Sequence, residues 1–325
     1  MRIEGDYLDE ILMRSYDLIE HNGHANVGTR GSNKEVIGAS LLLRNPRARL
    51  SRSSDRGVPL SAVGEFLWYL SGSDDIDFIT AYIPKYEDEV GENGRINGAY
   101  GPRLFSSYGL NQFDAVTDLI GRKAKTRRAV LQIYSARDLK TDDEVPCTTT
   151  LQFLNREGRL HLVASLRSND AYLGLPHDVF CFTMIQEMMA NRLGLELGEY
   201  TQLIGSFHLY DSAREKAARY TREGYHRVQE MPRMPDGDPF AEIPRILAAE
   251  SSVRQSKENA DEAVAGLPDY WGDVLRLAQA RLAAEVERLR EIRACLKDKE
   301  YEAYIDDRID LLVKRAAKTE ASKAT

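Results

Sequence analysis

Residues 178–194, DVFCFTMIQEMMANRLG, are apolar nearly all round. A helix without a polar face must be buried on every side. The run therefore predicts a central helix, stopped at Gly194, around which the other elements are layered. It is entered through a Leu-Gly-Leu-Pro turn at 173–176. Just before that turn lies the clearest β signal, TTTLQFLNREGRLHLVASLRS (148–168), in which two β-rich runs flank Asn-Arg-Glu-Gly as in a hairpin.

The remaining elements are read around this pair. Residues 6–21 place Leu8, Ile11, Leu12, Tyr16, Leu18 and Ile19 on one helical face. The polar, glycine-rich stretch 21–35 reads as a loop, and 36–43, VIGASLLL, as a strand. SAVGEFLWYLSG (61–72) reads as a buried helix ended by Gly72, and 84–99 as surface loop. Residues 127–135 and 200–210 are strand-like. From about residue 230 the chain turns proline-rich, and 271–316 then carries Leu275, Leu282, Leu289 and Leu296 at heptad spacing. This predicts an amphipathic helix packed on its own domain or on a dimer mate, rather than a free coiled coil. The expected division is a catalytic domain at 1–230, a helical extension at 231–316 and a disordered tail at 317–325.

Charge and composition exclude several classes. A net charge of −7 with both signs interspersed gives no global field for duplex nucleic acid. No apolar run is long enough to span a bilayer. The opening MRIEGDYLDEILMRS has no signal-peptide core, so a cytoplasmic protein is expected. Cys147, Cys181 and Cys295 are odd in number and widely spaced, which argues against disulfides and a zinc site, and no metal is expected.

Several residues could carry chemistry, each with a plainer reading beside it. Cys147 follows Pro146 where a loop enters a strand; it is a nucleophile or a packed cysteine. Arg167-Ser168 at a strand end suits a phosphate grip, because the guanidinium fork matches phosphate oxygens, or it is a surface turn capped by Asp170. Arg127-Arg128 is a second grip or a solvated pair. Glu65 lies among apolar neighbours and needs a partner or a function, unless it sits on a polar face. His208 and Tyr210 alternate on a strand and face one side, as site residues or as a core pair.

Taken in order, these residues resemble the thymidylate synthase superfamily. Its pattern is a glutamate-bearing helix, an arginine pair, Pro-Cys, Arg-Ser-x-Asp, Leu-Gly-Leu-Pro and His-x-Tyr. Here these are Glu65, Arg127-Arg128, Pro146-Cys147, Arg167 to Asp170, Leu173 to Pro176, and His208-x-Tyr210. Tyr100-Gly101 fits a Tyr-Gly of the family, which places Tyr100 in the catalytic set. The resemblance spans roughly residues 5–220. It implies an α/β fold with a twisted mixed sheet flanked by helices around a central buried helix. It also implies a homodimer, a pyrimidine nucleoside monophosphate substrate and 5,10-methylene-tetrahydrofolate as co-substrate. By the match Cys147 attacks C6 of the base, and Arg167 and Ser168 hold the phosphate. Arg127 and Arg128 reach the partner's site, with Arg30 a third arginine in a loosely aligned loop. His208 and Tyr210 hold the sugar, Asp170 contacts the pterin, and Glu65 orders water and relays protons.

The departures shape the expected activity. Methylating members carry asparagine directly after Leu-Gly-Leu-Pro-Phe, whereas this chain has His177 and then Asp178. Asparagine suits the N3–H and O4 of uracil; a carboxyl can accept from the cytosine amino group. Asp178 is also the pattern of the deoxycytidylate hydroxymethylase branch, although it could merely cap the helix. The segment 83–86, Ile-Pro-Lys-Tyr, lacks the tryptophans of methylating members, and the C-terminal extension stands where they have a short apolar tail. A more polar site would admit water. The expected reaction is 5-hydroxymethylation of CMP or dCMP. A phage modified-DNA setting and a mildiomycin-type nucleoside-antibiotic setting both fit, and the Arg- and Ala-rich composition leans to the second. The alternatives are a methylase of dUMP or dCMP and an inactive nucleotide-binding relative. His177, Thr148 and Ser206 have no role at this level.

Overall fold

The structure, a computed structural model, describes residues 1–28, 30–51, 58–224 and 228–323, without the side chains of Val58 and 318–323. The chain opens with β1 (Arg2–Gly5), α1 (Leu8–Asn22), β2 (His24–Gly28), β3 (Gly31–Leu43), α2 (Val58–Ser71) and α3 (Ile76–Tyr82). There follow α4 (Tyr100–Phe105), α5 (Gln112–Arg122), β4 (Val130–Gln132), β5 (Thr148–Arg156), β6 (Arg159–Asp170), α6 (Gly174–Arg192), β7 (Glu196–Tyr210) and α7 (Asp211–Glu223). The remainder is helical: α8 (Ile243–Arg254), α9 (Ala260–Ala265), α10 (Asp269–Leu282), α11 (Val286–Cys295) and α12 (Glu302–Lys323).

Among the described residues seven strands form one mixed sheet, ordered β1-β3-β7-β6-β5-β4, with β2 paired to β3. The β5–β6 hairpin closes through Glu157 and Gly158, both at positive φ (54° and 76°). That is the left-handed turn whose twist suits a two-residue hairpin. A register shift between Thr148 and Thr150 kinks β5 directly after Cys147, and such irregularities re-aim side chains beside functional sites. β6 and β7 run parallel, so α6 is the crossover between them. Their register sets Ser168 opposite Ser206 and Asp170 opposite His208. The two sequence-distant motifs thus meet at one end of the sheet.

The helix expected at 178–194 is α6, and it is buried along almost its whole length. It packs on β6 and β7, and α2 packs on it, with Phe66 and Phe180 edge to face. The rear of α2 is covered by α3, α8 and α10. At Gly64 a Cβ would fall inside the Tyr82 ring, so only glycine lets α3 approach this closely. The Tyr82 hydroxyl donates to Glu250 of α8 at 2.9 Å.

Three sequence expectations change. The stretch 21–35 is not a loop: β2 and the start of β3 form a hairpin there, extending the ladder that β3 makes with β7. Its residues are mostly exposed, so no apolar alternation marked it. Strand 127–135 shortens to Val130–Gln132 at the sheet edge. The heptad region 271–316 is broken into α10, α11 and the start of α12. Asp273 causes one reversal by accepting from the backbone N–H groups of Lys297 (3.0 Å) and Asp298 (2.7 Å). Leu275, Leu289 and Leu296 are buried against this chain's own helices. The backbone of α12 is helical to Lys323; residues 324–325 of the expected tail lie outside those described.

Candidate active site

The loop ending in Pro146 delivers Cys147 to the start of β5. Arg167 fastens that loop: Nε donates to the Pro146 carbonyl and Nη2 to that of Val145, both at 2.9 Å. Its backbone N–H donates to the Cys147 carbonyl at 2.8 Å. The thiol is half-buried, and burial pushes it above the usual range while Arg167 and Arg30 pull it back. Arg167 therefore positions the sulfur and favours its thiolate. Tyr100 is stationed beside it, with its hydroxyl at 3.1 Å from both the N–H and the Oγ1 of buried Thr148. Thr148, without a role in the sequence reading, is the anchor of Tyr100.

Two carboxyl groups face this corner from different helices, and their environments differ. Glu65 of α2 is buried and accepts three hydrogen bonds. Tyr69 (2.9 Å) and Tyr86 (2.7 Å) donate to Oε1, and His177 Nδ1 lies 2.5 Å from Oε2. Burial alone would raise its pKa, but the hydrogen bond and charge of His177, with the two tyrosines, hold it below the ordinary glutamate range. Asp178 of α6 is buried as well, but its one hydrogen-bonded partner shown is Asn169, whose Nδ2 donates to Oδ2 at 2.6 Å. Burial and the nearby Glu65 charge push its acid well above the usual range. Their neighbours shift the two acids in opposite directions.

Asn169 is itself oriented. Tyr200 donates to Gln202 Oε1 (2.6 Å), and Gln202 Nε2 donates to Asn169 Oδ1 (3.0 Å). The chain of donors runs one way and ends on Asp178. Asp178 is not a helix cap: α6 begins at Gly174, and the Asp178 side chain engages Asn169 instead.

Other expected residues fall around this centre. His208 and Tyr210 stand at the end of β7, ring centroids 4.9 Å apart. Burial raises the Tyr210 hydroxyl, which also feels Asp170, Arg30 and Cys147, so the three motifs share one field. Ser168 sits in β6 level with Ser206, which hydrogen-bonds Glu35 of β3. Asp170 accepts from the Tyr172 N–H at 2.8 Å. A half-exposed carboxylate fixed in this way fits a ligand with N–H donors, such as a pterin. Arg30 pairs with Glu89 (2.8 Å) and Glu144 (3.1 Å), and these charges outweigh its burial and raise its pKa. Thr29 beside it lies outside the described residues. Arg127 and Arg128 are exposed just before edge strand β4, and neither carries an ion pair to another described residue. Among the described residues no group of three or more His, Cys, Asp or Glu side chains could hold a metal.

Sequence reasoning missed Tyr69, Tyr86, Asn169 and Gln202, and left His177 without a role. Tyr69 was within reach, one helical turn after Glu65. The others meet the site only through tertiary packing.

A positioned thiol that feels Arg167 and Arg30, with two buried carboxyls shifted in opposite directions beside it, suits group transfer through a covalent adduct. Over residues 53–235 the chain matches the family model described as thymidylate synthase, and it belongs to that family. Membership makes it a transferase that moves a one-carbon unit from methylene-tetrahydrofolate onto a nucleotide, in a family that is typically dimeric. No helix among the described residues is long and apolar enough to cross a membrane.

Proposed function

We propose that this protein 5-hydroxymethylates a cytidine monophosphate, CMP or dCMP. The observation that carries the reading is the environment of Asp178. Asn169 fixes Oδ2 as an acceptor, burial and the Glu65 charge favour a proton on this acid, and the reading places that proton on Oδ1. Such a group presents one acceptor and one donor. Cytosine needs this pair, an acceptor for its amino group and a donor to N3.

The reaction follows from the side chains. Cys147 adds to C6 of the base, N3 becomes more basic, and Asp178 gives it the Oδ1 proton. C5, now a carbon nucleophile, attacks the one-carbon unit that bound methylene-tetrahydrofolate supplies. Loss of the C5 proton, with the bond between the one-carbon unit and the folate nitrogen broken and tetrahydrofolate released, leaves an exocyclic methylene on the ring. Water adds to that methylene, Cys147 departs from C6, and N3 returns its proton to Asp178. The reading assigns the phosphate to Arg167 and Ser168, with Arg30 released from Glu89 and Glu144 to join them. His208 and Tyr210 take the sugar, and Asp170 takes the pterin. Arg127 and Arg128 serve a partner's site. Exposed Ile37 and Leu203 on the sheet support a second copy there. Tyr86 brings a hydroxyl to Glu65 from the segment that lacks the tryptophans of methylating members, which supports a site that admits water. The mildiomycin-type setting is the favoured biological context.

The test is product identity. CMP, dCMP and dUMP are each incubated with methylene-tetrahydrofolate and the products weighed. Hydroxymethylcytidylate is expected; a methylated product, or turnover of dUMP alone, sinks the reading. Asp178→Asn should move preference from cytosine toward uracil by on the order of a hundredfold, measured as the ratio of kcat/KM values.

A further inference from the structure

His177 is bound at both ring nitrogens by one helix. Nε2 lies 3.1 Å from the Ser61 hydroxyl and Nδ1 lies 2.5 Å from Glu65 Oε2. Ser61 and Glu65 are one turn apart on α2, so the imidazole of α6 is clamped along the face of α2. Against an ionised Glu65, Nδ1 carries a proton and donates to Oε2, and Nε2 meets the Ser61 hydroxyl. A carboxylate has about four lone-pair sites. Tyr69 and Tyr86 occupy both on Oε1, and His177 occupies one on Oε2. The remaining basic site is on the oxygen that His177 holds.

We infer that His177 is the positioning residue that makes Glu65 the base for water in the hydration step, an inference that rests on the hydroxymethylating reading. Water hydrogen-bonded to the free Oε2 lone pair attacks the exocyclic methylene. Its oxygen bonds to that carbon and its proton passes to Glu65. The methylene π pair moves into the ring, returns as the C5–C6 double bond and expels the Cys147 thiolate. The proton on Glu65 and the thiolate recombine through solvent, so the enzyme is restored.

The groups facing this dyad are Tyr69 on α2, Tyr86 and Glu89 in the turn Pro84–Glu89, Tyr100 on α4, and Asp178 and Cys181 on α6. None is a cation. Without His177 the buried Glu65 keeps its burial penalty and loses its strongest anionic support, so its pKa rises. A base acts above its pKa, so the acid limb of turnover moves to higher pH.

The experiment follows kcat against pH by tritium release from 5-tritiated CMP, dCMP or dUMP, which counts every transfer whatever the product. Where hydration limits turnover, Cys147 is already bonded to the ring and does not titrate. For His177→Phe, kcat at neutral pH should fall by on the order of tenfold or more and recover in alkaline solution. Intact-protein mass should show the Cys147–nucleotide adduct accumulating. His177→Gln, which keeps a donor, should lie between the two, and it decides alone where the phenylalanine variant does not fold. A limb that coincides with wild type, or a slow variant without accumulated adduct, overturns the role of His177. A methylated wild-type product overturns the hydroxymethylating reading instead, so the two failures are distinguishable.

Discussion

The two ends of α6 each bury a carboxyl group, and they treat it differently. Toward the C-terminus, Glu187 is held by Arg47 (2.8 Å), by fully buried Arg49 and by the Met234 N–H (3.1 Å). Burial would raise its pKa, but Arg49 and Arg47 outweigh it, and the group stays ionised below the usual range. At the N-terminal end Asp178 has a neutral amide for a partner, and burial with the Glu65 charge pushes its acid well above the usual range. One acid is saturated by cations and ties α6 to the chain around it. The other has only a neutral donor on Oδ2 among the described residues. Charge pairing marks the structural acid; a buried carboxyl without a cation marks a group kept for a ligand.

Breaking the saturated end should have the largest effect. Glu187→Ala leaves Arg49 buried without its partner and should cost about 3–5 kcal/mol of stability, read from denaturant unfolding, while kcat per folded molecule is preserved. A fall in kcat without loss of stability would erase the distinction between the ends. The sign with pH also follows. The depressed pKa means the contribution of Glu187 is full above the ordinary glutamate value and is lost as pH falls through the folded one.

At the other end the effects should be smaller and confined to function. Asn169→Ala removes the donor that fixes Oδ2, and kcat/KM for the cytidine nucleotide should fall by about 1–3 kcal/mol, with a smaller loss for a uridine nucleotide. Equal losses on both bases would mean that Asn169 only packs. Tyr200→Phe removes the first donor of the chain and should cost about 0.5–1.5 kcal/mol in the same ratio. An effect as large as that of Asn169→Ala would show that the chain acts as one unit rather than link by link.

Much of this was legible in the sequence. The all-round apolar run pointed to the central helix, and the ordered motifs from Cys147 to Tyr210 pointed to the family and to most residues of the candidate site. Local rules failed where tertiary contacts decide. The β2–β3 hairpin carries no alternation because β2 is an exposed strand at the sheet edge. The heptad leucines promised one long helix, but Asp273 captures the backbone at Lys297 and folds the chain back. His177 looked arbitrary because its two partners lie more than a hundred positions earlier and belong to another helix. The upward shift of the Asp178 acid could not be read locally, since it depends on burial and on the charge of Glu65.

The contact at Gly64 bears on how Glu65 does its work. Tyr82 rests against the α2 backbone one residue before the carboxylate, and its hydroxyl is tethered to Glu250 in the C-terminal helices. With no side chain between them, helix and ring meet as hard surfaces. Glu65 therefore has little room to recoil when a charged intermediate forms in front of it. The ordering of this base is completed when the chain folds, so little reorganisation energy remains to be supplied during turnover.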